Sequence, residues 1–321
     1  MPILRLGTRG SQLALVQATT VAGLLNTHAG VDCEVVVIKT SGDRLGDAAL
    51  SEIGGKRLFV KEIEDSLLAG DIDLAVHSSK DLPAILPEGL EIGAVLPRED
   101  PRDALVLPSD RVASTMEDVV RLLGPAPRIG TSSVRRIAQL AGLFPGARFL
   151  PIRGNIDTRL RKLDAGDYDA LVLAAAGLRR LGHPQRISTA LPVDACVPAP
   201  GQGIIAVEIR GDDTRTRERV ARIDEAQARA ALAAERAVVV RLGGGCQMPI
   251  GAYAQIAGDT VHIAGIVVSL DGARAVRAEA TGSAREPEAA GIHVAEQLLA
   301  RGADEILADI PERSAEEGHS P

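Results

Sequence analysis

The arginines of this chain crowd into one stretch. "RIGTSSVRR" (128–136), Arg148, "RGNIDTRLRK" (153–162) and "GLRRLG" (177–182) follow one another closely. Thr131, Ser132 and Ser133 stand between a predicted strand end and a predicted helix start, where free backbone N–H groups attract anions. Arg135 and Arg136 then fall in the first helical turn, where cations oppose the helix dipole at a cost of a few tenths to about 1 kcal/mol. A bound anion would offset that cost. Arg153, at a strand exit, and Arg159, in the next helix, repeat the arrangement. Both places lie at the carboxyl ends of predicted parallel strands, where α/β sheets bind ligands. Guanidinium forks pair with phosphate and carboxylate alike, so both ligand classes stay open.

Two further residues could do chemistry. Asp81, in "HSSKDLP" (77–83), follows a strand-like run at its carboxyl end, with Lys80 beside it. A carboxylate there can act as acid or base, stabilise a developing cation, or cap the turn before Pro83. Cys246 sits in "RLGGGCQMPIG" (241–251), on a glycine-rich loop that permits close approach by another group. It could be a nucleophile, a covalent attachment point or a structural thiol. Cys33 and Cys196 read as inert buried thiols. The histidines are scattered and there is no Cys-x-x-Cys, so no metal site is expected.

Composition narrows the class. A chain of 321 residues, 45% of them apolar, can form two or three packed domains. Aromatics are 2% of residues, and the net charge is −7. Both oppose nucleic-acid binding, which uses stacking platforms and positive surfaces. An arginine-rich site in an acidic chain points instead to a specific anionic small ligand. No apolar run is long enough to span a membrane. The start, "MPILRLGTRGSQ", lacks the layout of a signal peptide. With three well-separated cysteines, the expectation is a reduced, cytoplasmic protein.

The elements that must position these residues alternate. "SQLALVQATTVAGLLNTHAG" reads as a helix capped by Ser11 and ended by Gly30. "CEVVVIKT" reads as a buried strand. "SGDRLGDAALSEIGGKR" reads as a mobile loop, and "LFVKEIEDSLLAG" as a helix with Val60, Ile63 and Leu67 on one face. This grammar predicts α/β units with mostly parallel sheets. "PREDPRDALVL" is a plausible crossing into a second unit, and "VPAPGQGIIAVEIRG" a return to the first. Two crossings would leave a hinged cleft. After residue 220 an Ala-rich helix, three antiparallel strands and a closing helix make a separate α+β unit that contains Cys246.

Nine segments, in order and with compatible spacing, carry a resemblance. They are "TRGSQLALVQ", "GGKRLFVKE", "AVHSSKDLP", "REDPRDAL", "GTSSVRR", "RGNIDTRL", "DALVLAAAGLRRL", "PAPGQG" and "AERAVVVRLGGGCQMPIGAYA". From about residue 3 to 310 the chain resembles the porphobilinogen deaminase family, also called hydroxymethylbilane synthases. The resemblance implies two α/β domains like those of type II periplasmic binding proteins, joined by two hinge segments, plus the C-terminal α+β domain with its small antiparallel sheet. The expected boundaries are 1–98 with 201–219, then 99–200, then 220–311, with 312–321 a frayed tail. It implies that four porphobilinogen molecules lose ammonia and join head to tail, giving hydroxymethylbilane for tetrapyrrole and haem biosynthesis. It implies a dipyrromethane cofactor, thioether-linked to Cys246, with no metal, and a monomer as the assembly.

Residue by residue, Asp81 matches the family's catalytic aspartate. Arg9, Ser11, Lys80, Thr131, Ser132, Arg135, Arg136, Arg153, Arg159 and Arg180 match groups that bind carboxylates of the cofactor or growing chain, Arg9 and Arg180 chiefly at the substrate position. Lys56 and Phe59 match the end of a mobile loop over the cleft. Departures are small: Gly10 and Gln12 fall where relatives vary, and Arg57 stands where a small residue is common. The competing readings are a non-catalytic two-domain clamp for an organic polyanion and a cysteine-nucleophile transferase without the cofactor.

Overall fold

The computed structural model describes residues 3–41, 60–113, 115–243 and 248–309. Lys56, Phe59 and Cys246, and most of the predicted mobile loop, lie outside the described residues.

The first sheet is built from β1 (Leu4–Thr8), β2 (Cys33–Val37), β3 (Leu74–Ser78), β4 (Leu90–Val95) and β10 (Ile205–Arg210), in the order β2-β1-β3-β10-β4. The second uses β5 (Asp103–Val106), β6 (Arg128–Gly130), β7 (Arg148–Leu150), β8 (Ala170–Ala174) and β9 (Thr189–Ala190), in the order β7-β6-β8-β5-β9. The two orders are the same pattern. In each, one strand runs antiparallel to both neighbours: β10 in the first sheet and β5 in the second. Those two strands are the ones that follow the crossings. Each sheet thus contains a strand delivered by the other unit, as the two predicted crossings imply. The mostly parallel expectation becomes a mixed sheet with one reversed strand.

Helices α1 (Gln12–Ala29), α2 (Lys61–Leu68), α3 (Met116–Leu123), α4 (Val134–Ala141), α5 (Ile156–Asp164), α6 (Ala175–Arg180) and α7 (Thr214–Val220) belong to these units. Ser11 caps α1 by accepting from Ala14 N at 3.3 Å, and Gly30 ends it in the left-handed conformation at φ 63°. Val21 and Leu25 of α1 pack on Leu6, Leu74 and Val207. Val60, Ile63 and Leu67 are all buried, as their spacing predicts.

One expectation fails. β2 is an edge strand, not a buried one: Val35 and Val37 are 36% and 50% exposed. A β-branched run marks a strand but not its place in the sheet.

The C-terminal unit stacks α8 (Ala226–Arg241), α9 (Pro287–Ala300) and α10 (Ala303–Ala308) against β11 (Ile250–Ala257), β12 (Thr260–Val268) and β13 (Ala275–Ser283). The strands form an antiparallel sheet in sequence order. Val238, Val267, Val294 and Leu298 lie fully buried between them. A small cluster of Ala138, Val197, Ile266 and Val268 joins this sheet to α4.

Both crossings run side by side. Glu99 N donates to Gly203 O at 3.0 Å, and Leu96 N to Ile205 O at 3.0 Å. Gly203 has φ 90°, and a Cβ there would stand 2.3 Å from Glu99 O. Only glycine allows this approach. Glu235 of α8, fully buried, pins both crossings: it accepts from Gly201 N at 2.6 Å and from Arg98 Nη1 at 2.5 Å. Arg98 also lies over the Tyr253 ring, 4.9 Å from its centre.

Candidate active site

The chemistry-bearing residues collect at the carboxyl ends of β1, β3, β6, β7 and β8, beside the crossings. Asp81 closes a single 3₁₀ turn, Ser79–Asp81, immediately after β3. Two backbone bonds hold the turn. Ser79 N donates to Ile204 O at 2.9 Å, and Leu82 N to Ser79 O at 3.2 Å. Leu82 is buried and anchors the turn, while Asp81 is half-buried.

Arg159 lies within electrostatic reach of Asp81. Burial, then the neighbouring Arg136, pushes its pKa down to about 10; Asp81 pulls it back up, and Arg153 lowers it further. Asp81, Arg136, Arg153 and Arg159 are therefore electrical neighbours. Arg159 Nε donates to Gly154 O at 2.8 Å. Arg153 is half-buried and adds its charge to the same cluster. Arg136 has a carboxylate partner of its own, Asp103, while Asp81 supports the Arg159 charge against Arg136 and Arg153.

Arg135 and Arg136 differ from the expectation. The anion that offsets them is a side chain of the protein, Asp103 of β5, with no exposed surface. Arg135 Nη1 lies 2.8 Å from Asp103 Oδ2, and Arg136 Nη2 2.7 Å from Oδ1. Burial works against the Asp103 charge, yet the two arginines hold its pKa far below the carboxylate range. Arg135 also donates to Val197 O at 2.6 Å and is buried. Arg136 adds Val172 O at 2.9 Å and borders Arg159. Arg135 thus fixes the site, while Arg136 still lends it charge. Asp103 was legible only as part of the crossing "REDPRDAL"; the signal for it was the pair of arginines in a first turn without an acidic residue.

The smaller groups are engaged locally. Ser132 Oγ donates to Ile152 O at 2.9 Å and accepts from Ile152 N at 3.0 Å, tying the loop after β6 to the loop after β7. Thr131 is buried, and its hydroxyl accepts from Ser133 N at 3.2 Å. The start of α4 has no side-chain cap, which leaves its N–H groups open to an anion. The start of α5 is different: Asn155 caps it by accepting from Thr158 N at 2.9 Å. Arg9 is half-buried in the loop between β1 and α1. Ser11 acts as the α1 cap described above. Lys80 Nζ lies 3.3 Å from Gln202 Oε1. Arg180, at the end of α6, donates to Gly203 O at 2.6 Å; burial lowers its pKa, with Glu99 opposing. It sits against the second crossing rather than in the Arg153–Arg159 cluster.

The two other cysteines have raised pKa values. Burial pushes Cys196 up to about 12, helped by Asp103. Burial and then Asp32 push Cys33 up to about 11, although Cys33 is half-buried on an edge strand rather than enclosed. No helix among the described residues is long and apolar enough to cross a membrane.

Comparison with known proteins adds to this geometry. Residues 4–218 match the family model described as "Porphobilinogen deaminase, dipyromethane cofactor binding domain". Residues 230–300 match that family's C-terminal domain. The chain is 46% identical over 311 residues to the porphobilinogen deaminase of Geobacter metallireducens, covering 97% of this chain and 95% of the relative. It is 48% identical over 312 residues to that of Moorella thermoacetica, covering 97% of each. The solved periplasmic VFT2 domain of Bordetella pertussis BvgS superposes with a TM-score of 0.41 at 17% identity, over 69% of this chain and 86% of that one. A score that low bears no weight, and the fold rests on the strand orders above. The chain belongs to the porphobilinogen deaminase family.

Proposed function

We propose that this chain deaminates four porphobilinogen molecules and condenses them head to tail into hydroxymethylbilane, with the growing chain held on Cys246 through a thioether-linked dipyrromethane. Family membership supports the reaction and the cofactor. What supports the site assignment is the placement of Asp81, Arg153 and Arg159 at or just beyond the carboxyl ends of strands, with Asp81 favouring and Arg136 and Arg153 opposing the Arg159 charge. Every porphobilinogen unit brings an acetate and a propionate. A polycarboxylate is the ligand such a cluster fits, and its carboxylates would return Arg159 toward its ordinary pKa.

Each condensation has a simple balance. The C–N bond of the aminomethyl group breaks and ammonia leaves with its electron pair, driven by the pyrrole nitrogen. The resulting cation forms a C–C bond to the free α-carbon of the preceding ring, and that carbon then loses its proton. Held on Cys246, a dipyrromethane would supply the first such α-carbon and the covalent anchor. Asp81 is assigned the role of stabilising the pyrrole-derived cation by its charge. Arg136, Arg153 and Arg159 neutralise and orient carboxylates. Arg9, Ser11, Lys80, Thr131, Ser132 and Arg180 line or shape the rest of the cleft, Arg9 and Arg180 at the incoming substrate. Arg135 acts through Asp103 as a positioning residue. Lys56 and Phe59 are assigned to the loop that covers the cleft. Water finally releases the product.

The reading includes three domains, 1–98 with 201–219, 99–200 and 220–311, and a monomer working in the cytoplasm. The adjacent crossings pinned by Glu235 support hinges near 98 and 203. Incubation of the purified protein with porphobilinogen should release ammonia and hydroxymethylbilane in a ratio of four to one. Ammonia without that product, or neither, would overturn the reading.

A further inference from the structure

Gln202, met above only as the partner of Lys80, has hydrogen-bond partners beside both sheets. It lies in the second crossing, 1% exposed. Its Oε1 faces Lys80 Nζ at 3.3 Å, in the turn that carries Asp81. Its Nε2 donates to Asp103 Oδ1 at 2.9 Å, on the first strand of the other sheet, and to Pro101 O at 2.7 Å, in the first crossing. Its own carbonyl accepts from Arg98 Nε at 2.9 Å. One side chain therefore joins both crossings and both sheets.

The amide orientation is fixed by chemistry. A primary amide has two donors on nitrogen and acceptor sites on oxygen only. Here both donors meet acceptors and the oxygen meets an ammonium. A flipped amide would aim N–H groups at Lys80 and its oxygen at two acceptors. Asp103 in turn receives Arg136 Nε at 2.9 Å on the same Oδ1. The path from the Asp81 turn to the arginine cluster runs Lys80, Gln202, Asp103, Arg136, every link a hydrogen bond or ion pair.

We infer that Gln202 is a positioning residue for the condensation: it sets the distance between the Lys80–Asp81 turn and the Arg136–Arg159 cluster. It makes no contact with reacting atoms. Its effect falls on turnover, because the cation and the carboxylates must be held at once by groups on opposite sheets. Glutamate is the discriminating substitution. It keeps an oxygen for Lys80 but, ionised, has no donor for Asp103 or Pro101 and sets a second carboxylate beside Asp103. Leucine removes all three bonds.

The inference rests on the proposed function, and the test separates the two. Wild type, Gln202→Glu and Gln202→Leu would be compared for intact mass, thermal midpoint, kcat and KM with porphobilinogen. Failure of the wild type to carry an adduct or turn over would sink the functional reading itself. Given an active wild type, kcat per adduct-bearing molecule should fall about tenfold or more in both variants, the scale of a lost hydrogen bond to a charged group. KM and adduct mass should change little. Wild-type kcat in Gln202→Glu would show that only the Lys80 contact matters and overturn the inference. So would a lowered thermal midpoint with unchanged kcat, or failure of both variants to fold, since either makes Gln202 merely structural.

Discussion

Asp103 and Arg136 form a buried two-point pair: Arg136 Nε and Nη2 lie 2.9 and 2.7 Å from the same carboxylate oxygen. With Arg135 on the other oxygen, one carboxylate serves two adjacent arginines. The pair joins the strand delivered by the first crossing to the helix beneath the anion site.

Asp103→Asn leaves two buried guanidiniums without a counter-charge. Breaking a buried pair by removing one partner costs about 3–5 kcal/mol, so denaturant unfolding should show a loss of that order. The pH dependence has a definite sign. Asp103 has a depressed folded-state pKa, so its stabilisation is present above the unfolded value of about 3.9 and is lost as pH falls toward the folded value. Stability of the wild type should drop more steeply below about pH 4 than that of Asp103→Asn. Parallel profiles would argue against the pair.

Asp81→Asn preserves shape and removes charge. The variant should carry the same covalent adduct and lose turnover about a hundredfold or more, the scale of a lost electrostatic stabiliser. Mass spectrometry checks the first part and a stopped assay the second. Near-normal turnover would contradict the cation-stabilising role.

Arg159 gives a prediction whose sign depends on loading. In a Cys246→Ala background, free of adduct, Arg159→Leu removes a cation crowded by Arg136 and Arg153. Unfolding should then show a neutral or stabilising effect, up to about 1 kcal/mol given its partial exposure. In the loaded protein the same change should impair turnover. Equal destabilisation in both backgrounds would mean that Arg159 is a packing residue.

Salt should act on binding more than on chemistry. The Debye length shrinks from about 10 Å at about 0.1 M salt to about 3 Å at about 1 M. KM for porphobilinogen should rise across that range while kcat changes less. A KM indifferent to salt would point away from carboxylate recognition by arginine.

The element pattern was largely legible in the sequence because period and caps are local. Ser11, Gly30 and the Val60–Ile63–Leu67 face behave as their spacing predicts. The edge placement of β2 was not legible, because β-branched residues suit an edge strand as well as a central one. The site was half-legible. Arg135 and Arg136 announced the need for an anion, but nothing local named Asp103, brought in by the crossing. Gln202 was hidden for the same reason: its partners lie about 100 residues or more away, at Lys80 and in the 98–103 stretch, and a lone glutamine between two glycines looks like a turn.

The central claim is that a pyrrole chain is anchored on Cys246. Intact mass of the denatured protein tests it most directly. The wild type should exceed the 33.5 kDa sequence mass by one dipyrromethane, and Cys246→Ala should match its own sequence mass and be inactive. A wild type at its bare sequence mass, or an active Cys246→Ala protein, would contradict the account.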